Sequence, residues 1–167
     1  MSVARLCVDV VGSRGVRRHP SAAQIRTWAS AALGRRAAGR ELAVRIVGRG
    51  ESRRLNRRFR GRDAPTNVLS FPAPDAPGGT GAAQPGGSRA TAFPAPLGDL
   101  VLCSPVVASE ARLQGKSVRA HFAHLIVHGA LHLVGYDHEQ LADARRMERR
   151  EIAVLRRFGF RNPYRSA

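Results

Sequence analysis

Hydrophobic residues in the first part of the chain recur mainly at the spacing of strands, with two helical segments among them. From Glu41 to Val47 apolar and polar positions alternate, which is typical of a strand with one buried face. Ser21 and Gln24 form a capping-box pattern ahead of apolar positions at helical spacing, which predicts the start of a helix. The elements predicted here are, in order, a strand over 5–11, a helix after Ser21, a strand over 41–47, a helix over 51–59 and a strand over 67–71.

Apolar positions in the second part of the chain have mainly helical spacing. A strand over 97–103 precedes a helix for which Ser104 is the predicted N-cap and Pro105 the first residue. Two further helices are predicted over 118–134 and 139–158. The apolar stripe predicted for the last helix consists of Leu141, Ala144, Ile152 and Leu155. Strands followed by helices predict an α+β fold, with a small mixed four-stranded sheet packed against about five helices.

Residues 73–96 lie between these two parts and differ from both, because they are rich in Pro, Gly, Ala and Thr and lack apolar periodicity. They predict a flexible surface loop, inserted into a single domain that spans 1–167. The N-terminal residues lack the apolar core and cleavage site of a signal peptide, and no run of about 18 apolar residues could cross a membrane. Cys7 and Cys103 lie in short apolar runs without metal-site spacing, so we expect two reduced, buried thiols in a cytoplasmic protein.

The net charge is the most unusual feature of the composition. The chain has 28 Lys and Arg residues against 12 Asp and Glu residues, a formal charge of +16, and Lys116 is its only lysine. A genome that favours Ala, Gly and Arg would add arginines to a solvated surface without functional meaning. A surplus of this size instead favours a polyanionic partner, and nucleic acid in preference to an anionic membrane surface.

Three histidines in the second part have the spacing of a metal site. His128 and His132 are four residues apart in a predicted helix. Their rings therefore point the same way, about 40° apart around the axis and about 6 Å apart along it. Gly135 can adopt the left-handed conformation that ends a helix, and the turn can then bring His138 back over the pair. Three imidazoles with a fourth position open to water form the ligand set of a catalytic zinc site.

Other polar residues near these histidines have more than one role open to them. His121 and His124 lie on the same helical stripe and could compete as ligands. A straight run of helical histidines cannot close a tetrahedron, so we expect His124 to support the ligands from behind or to pack in the core. Asp137 could orient a ligand through a hydrogen bond, or it could cap the following helix.

The histidine frame also fits the metzincin protease pattern H-E-x-x-H-x-x-G-x-x-H at every position but one. Gly129 stands where that pattern has glutamate, the general base that activates the metal-bound water. Peptide hydrolysis by that mechanism therefore lacks its proton acceptor, whereas the metal-binding frame is kept.

The stretch H-G-A-L-H-L-V-G-Y-D-H resembles the signature of the YbeY family, bacterial ribosomal-RNA maturation factors described as metal-dependent endoribonucleases. Residues 55–72, which include F-R-G-R-D-A-P-T-N-V-L-S-F-P, are similar to a second motif of that family. Leu97–Leu100 is similar to its third motif, and Asn162–Tyr164 to a segment near its C-terminus. The resemblance covers roughly residues 41–72 and 97–164.

The resemblance implies that His128, His132 and His138 bind one Zn²⁺ per chain and that Arg60 is a functional arginine near the cleft. It implies a metzincin-like fold and a single-strand-specific endoribonuclease that acts in 16S ribosomal RNA 3′-end maturation and ribosome quality control. The implied partners are ribosomal RNA, the small ribosomal subunit and its assembly proteins. Arg60 and His128 are then the candidate catalytic residues.

An arginine fork matches the geometry of a phosphate, which makes Arg60 the candidate for contacting the scissile group. Its alternative role is a surface salt bridge with Asp63. The arginines expected to hold the RNA backbone without reading its sequence are Arg53, Arg57, Arg60 and Arg62. The last helix carries more arginines that would extend this footprint: Arg145, Arg146, Arg149, Arg150, Arg156 and Arg157.

The sequence shows no general base, so the nucleophile is either a metal-bound hydroxide or the 2′-hydroxyl of the RNA itself. Two further functions stay open beside the endoribonuclease. One is a ribosome-assembly factor whose metal is structural, and the other is a metalloprotease-like hydrolase.

Overall fold

The computed structural model describes residues 6–77 and 94–165 of the chain. The strands in this part of the chain are β1 (Cys7–Gly12), β2 (Arg40–Val47), β3 (Val68–Pro72) and β4 (Ala95–Cys103). The α-helices are α1 (Ala22–Leu33), α2 (Arg49–Arg60), α3 (Ser104–Leu113), α4 (Val118–Leu133) and α5 (Leu141–Arg156), and a short 3-10 turn (Gly34–Ala37) follows α1. None of the helices in the described ranges is long and apolar enough to cross a membrane.

The four strands form one mixed sheet in the order β1-β2-β4-β3. β1, β2 and β4 run parallel to one another, and β3 pairs antiparallel with β4, with Val68 opposite Leu102. This sheet and the five helices confirm the predicted α+β fold. The capping box predicted at Ser21 is also present, with Gln24 completing it.

Different helices cover the two faces of the sheet. Alternate residues of β2, such as Leu42 and Ile46, are fully buried in the larger core with side chains of α1, α4 and α5. On the opposite face, Val47 and Val101 belong to a smaller core, against which Leu55 of α2 packs. The histidine-bearing helix α4 and the arginine-rich helix α2 therefore lie on opposite faces of the sheet.

Two predictions about the start of α3 and about the cysteines are wrong. Ser104 is the first residue of α3 rather than its N-cap, which is Cys103. The Ser104 hydroxyl instead donates a hydrogen bond to the carbonyl oxygen of Arg17 at 2.8 Å. Cys103 is buried as predicted, but Cys7 is exposed, because the alternation along the edge strand β1 buries Val8 and turns Cys7 outward.

The buried side of α5 also differs from the predicted stripe. Leu141 is 70 % exposed, because it is the first residue of α5 and the buried residues of that helix begin only at Met147. The residues of α5 that are buried are Met147, Glu151, Val154 and Leu155. The charged Glu151 therefore occupies a position within the buried side of this helix.

The predicted loop over 73–96 begins with residues that are packed rather than free at the surface. Ala73 and Ala76 are 8 % and 6 % exposed and belong to the larger core. The amide of Ala73 donates a hydrogen bond to the carbonyl oxygen of Leu97 at 3.0 Å, which ties the start of this segment to β4. β4 begins at Ala95, within the predicted loop, and residues 78–93 of that loop lie outside the described residues.

Candidate metal centre

Helix α4 and the turn after it bring three imidazole rings together. His128 and His132 lie one turn apart, with their Nε2 atoms separated by 3.1 Å. The helix ends at Leu133, and Gly135 takes a left-handed backbone conformation, with φ of 86°. This reversal places Nδ1 of His138 at 3.1 Å from Nε2 of His132. The structure thus brings the three predicted ligands together through the glycine turn that their spacing requires.

The geometry of the three rings fits a single divalent cation. One nitrogen from each ring lies within 4.8 Å of the other two. Imidazoles that share a tetrahedral zinc ion at bond lengths of 2.0–2.1 Å have nitrogens about 3.4 Å apart, close to the separations found here. Burial, together with the neighbouring rings of His128 and His138, lowers the pKa of His132 to about 4. Its ring is therefore neutral at pH 7, as a metal ligand must be.

A buried carboxylate that the sequence analysis missed lies directly behind His128. Glu151 of α5 is 0 % exposed, and its Oε1 atom accepts a hydrogen bond from Nδ1 of His128 at 2.7 Å. This bond keeps the proton on Nδ1 and leaves Nε2 with a free lone pair toward the other two histidines. The sequence contained one signal for this carboxylate. Glu151 is a charged residue that lies between Met147 and Val154 on the buried side of α5.

Glu151 is held by two further groups on its other oxygen. Nε2 of His124 lies 3.3 Å from Oε2, and the hydroxyl of Tyr164 donates to the same atom. Burial alone would raise the pKa of Glu151, but the hydrogen bonds from His124, His128 and Tyr164 outweigh it and hold the pKa at about 2. Glu151 is therefore an anion in the protein interior. Burial and Glu151 together raise the pKa of Tyr164.

His124 and His121 are placed apart from the three clustered rings. His124 supports His128 only through Glu151, which agrees with its predicted place behind the ligands. His124, His128 and Glu151 also form a second group of closely spaced donor atoms. His121 is 4 % exposed and bonds through Nε2 to Glu110 at 2.8 Å, so it belongs to a separate buried pair.

Asp137 stabilises the turn that carries His138. Its Oδ1 atom accepts hydrogen bonds from the backbone amides of His138 at 2.7 Å and Glu139 at 3.3 Å. The N-cap of α5 is Gln140, so the alternative in which Asp137 caps the following helix is wrong. Asp137 orients His138 through its backbone rather than through its ring.

The arginines of α2 and the loop after it are exposed, and one of them has a carboxylate partner. Arg53 makes two hydrogen bonds to Asp63, at 2.8 and 2.7 Å, and this contact lowers the pKa of Asp63. The alternative in which Asp63 pairs with Arg60 is therefore wrong. No described carboxylate pairs with Arg57, Arg60 or Arg62, and no described hydrogen bond joins Arg60 to the histidine cluster.

The family model described as Endoribonuclease YbeY matches residues 16–159 of the chain. The chain belongs to the YbeY family. A YbeY endoribonuclease of Stenotrophomonas maltophilia (strain R551-3) is 50 % identical over 145 residues, which cover 87 % of this chain and 84 % of that protein. One of Aromatoleum aromaticum is 49 % identical over 164 residues, which cover 96 % and 94 % of the two chains.

The fold of this YbeY-family chain is also similar to a solved structure. The solution structure of TM1509 from Thermotoga maritima superposes with a TM-score of 0.56, covering 95 % of this chain and 99 % of the other. The two sequences are 19 % identical, so this likeness concerns the fold alone.

Gly129 of this YbeY-family chain packs closely against the sheet at the position where the protease pattern has glutamate. A Cβ atom added at Gly129 would lie 2.8 Å from Cδ2 of Leu100 and 3.1 Å from Oγ of Ser70. The position therefore faces the sheet at close range rather than the open side of the metal centre. A glutamate there would require the side chains of Leu100 and Ser70 to shift, so packing disfavours the proton acceptor of the protease pattern at this position.

Proposed function

We propose that this protein is a zinc-dependent, single-strand-specific endoribonuclease that matures the 3′ end of 16S ribosomal RNA. The observation that carries the proposal is the convergence of one ring nitrogen each from His128, His132 and His138. The formal charge of +16 supports a polyanionic substrate. Membership of a family of endoribonucleases supports hydrolysis of RNA phosphodiester bonds.

The three histidines provide a rigid and partly open cation site. His128 and His132 are half-buried, whereas His138 is exposed, so the cluster opens to solvent on the side of His138. Glu151 fixes the ring of His128, and Asp137 fixes the backbone of His138. When bound there, a divalent cation supplies Lewis-acid stabilisation of the negative charge that develops on a phosphate.

Arg60 is the proposed phosphate-binding arginine, and β3 lies between the end of α2 that carries it and α4. It is the last residue of α2, and the neighbouring ring of Phe59 packs against Phe71 of β3 with centroids 5.0 Å apart. The residue before Phe71, Ser70, lies on the other side of β3 with its hydroxyl 3.5 Å from the carbonyl oxygen of Gly129. A single edge strand thus separates the end of α2 from the histidine-bearing turn of α4. An unpaired guanidinium at that edge can reach a phosphate with two parallel hydrogen bonds.

The other arginines of α2 and the loop after it differ in whether a carboxylate already binds them. Arg57 and Arg62 are exposed and have no carboxylate partner within the described residues, so they can bind the backbone. Arg53 shares its charge with Asp63 and contributes less to RNA binding. The small ribosomal subunit is the proposed site of action, and the protein acts there in ribosome quality control.

The nucleophile is identified by the ends of the RNA products. Attack by the adjacent 2′-hydroxyl leaves a 2′,3′-cyclic phosphate, whereas attack by water leaves a linear phosphate. The group of donor atoms formed by His128, His132 and His138 includes no carboxylate. Either nucleophile must lose its proton to a base, so the ends of the products distinguish the two.

The proposed function is tested by metal analysis and cleavage of a 16S precursor RNA, with wild type compared to His132→Ala. We expect one zinc per chain and cleavage near the 3′ end for wild type, and loss of both in the variant. His19→Ala is the matched control, because His19 is an exposed histidine outside the cluster. Full cleavage by zinc-free protein would refute the proposal. A different result would favour the assembly factor with a structural metal. In that case the zinc-loaded protein would not cleave RNA, and removal of the zinc would lower its melting temperature.

A further inference from the structure

A large groove lies beside the metal centre, between the start of α4 and the residues that follow α5. Its volume is about 1180 Å³, and it is lined by Ser117 and Ala120 of the first turn of α4 and by residues 159–165. His124 and Tyr164 also line it, and the ring of His124 is 6.2 Å from that of His128. The groove therefore ends next to the candidate metal centre.

The wall of the groove carries several positively charged side chains. Four cations line it: Lys116, Arg156, Arg161 and Arg165. No Asp or Glu is among the described lining residues, and none of these four side chains forms an ion pair with a described carboxylate. Nζ of Lys116 donates a hydrogen bond to the carbonyl oxygen of Pro163 at 2.8 Å, which joins the two walls at one end. Such a concentration of cations attracts an anionic chain.

The wall also contains buried polar atoms that lack partners. Nδ1 of His121 and Nδ1 of His124 are buried, and neither has a hydrogen-bond partner among the described residues. Both histidines line the groove, and His121 is 4 % exposed. Because both nitrogens are buried, they do not contact a molecule in the groove, and the groups available to such a molecule are the cations that line the wall.

One stripe of α4 connects this groove to the three clustered histidines. Ser117, His121, His124, His128 and His132 follow one another at intervals of three or four residues. Fifteen residues of α-helix span about 22 Å, which is long enough for several nucleotides of an extended single strand. The amino end of α4, at Ser117, adds its partial positive charge at the far end of the stripe.

We propose that this groove holds the single-stranded RNA on one side of the cleaved bond, with Arg156, Arg161 and Arg165 bound to its phosphates. The inference rests on the proposed function and adds a second contact region, separate from the arginines of α2. An RNA strand that enters here passes His124 and reaches the histidine cluster along α4. The sparse aromatic lining, Phe160 and Tyr164, favours backbone contacts over sequence readout.

The test measures RNA binding by protein freed of metal, so that cleavage does not enter the readout. The variant is Arg161→Gln/Arg165→Gln, and the matched control is Arg14→Gln/Arg35→Gln, which removes two exposed arginines outside the groove. The probe is a fluorescently labelled oligouridylate titrated at several salt concentrations. We expect the groove variant to raise Kd and to reduce the slope of log K against log salt by about 1.4, since each single-strand phosphate contact contributes about 0.7. The control should change the slope much less.

Amide hydrogen exchange gives a second readout on the wild-type protein. Bound RNA should protect residues 115–121 and 159–165 from exchange more than the first turns of α5. Equal slopes in the two double variants, or no protection of these two segments, would overturn the proposal that the groove binds RNA. If wild type bound RNA through the groove but did not cleave precursor RNA with zinc present, the proposed function would fail, whereas the groove would remain an RNA-binding region.

Discussion

Nδ1 of His128 donates a hydrogen bond to the fully buried carboxylate of Glu151 at 2.7 Å. The other ring nitrogen of His128 lies 3.1 Å from that of His132. A carboxylate behind a metal-binding histidine fixes the ring orientation, selects the tautomer and makes the ligand more basic. The two α-helices that follow one another in the chain, α4 and α5, are thereby coupled at the metal centre.

Glu151→Gln tests this coupling while keeping the shape of the side chain. We expect zinc affinity to fall by about 10–100-fold, because an amide binds the Nδ1 proton more weakly than a carboxylate does. Competition with a chromophoric chelator measures the change. Asp143→Asn is the control, since it removes an exposed carboxylate from the same helix. Unchanged zinc affinity in Glu151→Gln would show that the contact does not position His128.

Tyr164→Phe removes the hydroxyl that donates to Glu151 and leaves the aromatic ring in place. We expect a loss of about 1 kcal/mol in the free energy of unfolding, because a buried carboxylate loses one of its donors. Zinc affinity should fall by less than in Glu151→Gln, since the bond from Glu151 to His128 remains. Urea unfolding and chelator competition measure the two effects. A variant as stable as wild type would mean that the C-terminal segment does not support Glu151.

Gly129→Ala tests the close packing of α4 on the sheet. The added methyl group meets Leu100 at 2.8 Å, and we expect a destabilisation of about 1–3 kcal/mol from overpacking. Gly50→Ala is the matched control in helix α2, where a Cβ meets nothing within 4 Å. That substitution should stabilise the protein by about 0.5–1 kcal/mol, because alanine favours the helix more than glycine does. Similar effects of both substitutions on urea unfolding would contradict the packing role of Gly129.

The lowered pKa of His121 predicts how the free energy of unfolding depends on pH. Burial lowers its pKa below the ordinary value of 6.5, despite the nearby Glu110. The unfolded chain then takes up a proton more readily than the folded chain, so stability falls as the pH decreases through 6.5. His132, whose pKa is lowered to about 4, acts in the same direction in both the wild type and a His121 variant. Glu151 does not add to the effect at that pH, since its pKa of about 2 keeps it ionised.

The measurement is the free energy of unfolding of wild type and His121→Gln at pH 7.5 and at pH 5.5. The wild type should lose more stability between these two conditions than the variant. An equal loss in both proteins would show that His121 does not bind its proton differently in the two states.

Much of the metal centre could be predicted from sequence because its geometry is local. His128, His132 and His138 lie within one helix and one turn, where helical spacing and a left-handed Gly135 determine the relative positions of the rings. Glu151 could not be placed in the same way, because its contact with His128 depends on how α5 packs against α4.

The other residues whose roles were predicted incorrectly also depend on how the helices pack. The side of α5 that is buried is set by its packing partner, so Leu141 is exposed although its spacing fits an apolar stripe. Asp137 and Ser104 have the residue types of helix caps, but both side chains are engaged by other backbone groups. The tertiary fold, rather than the residue type, determines which backbone group a short polar side chain binds.

Zinc titration of metal-free protein, followed by X-ray absorption at the zinc edge, tests the metal centre most directly. We expect one ion per chain, bound by three imidazole nitrogens at about 2.0–2.1 Å and one further light ligand. The variant His128→Ala/His132→Ala/His138→Ala should bind no zinc while keeping its helical content. Zinc bound with the same stoichiometry by that variant, or a spectrum without three imidazoles, would show that His128, His132 and His138 are not the zinc ligands.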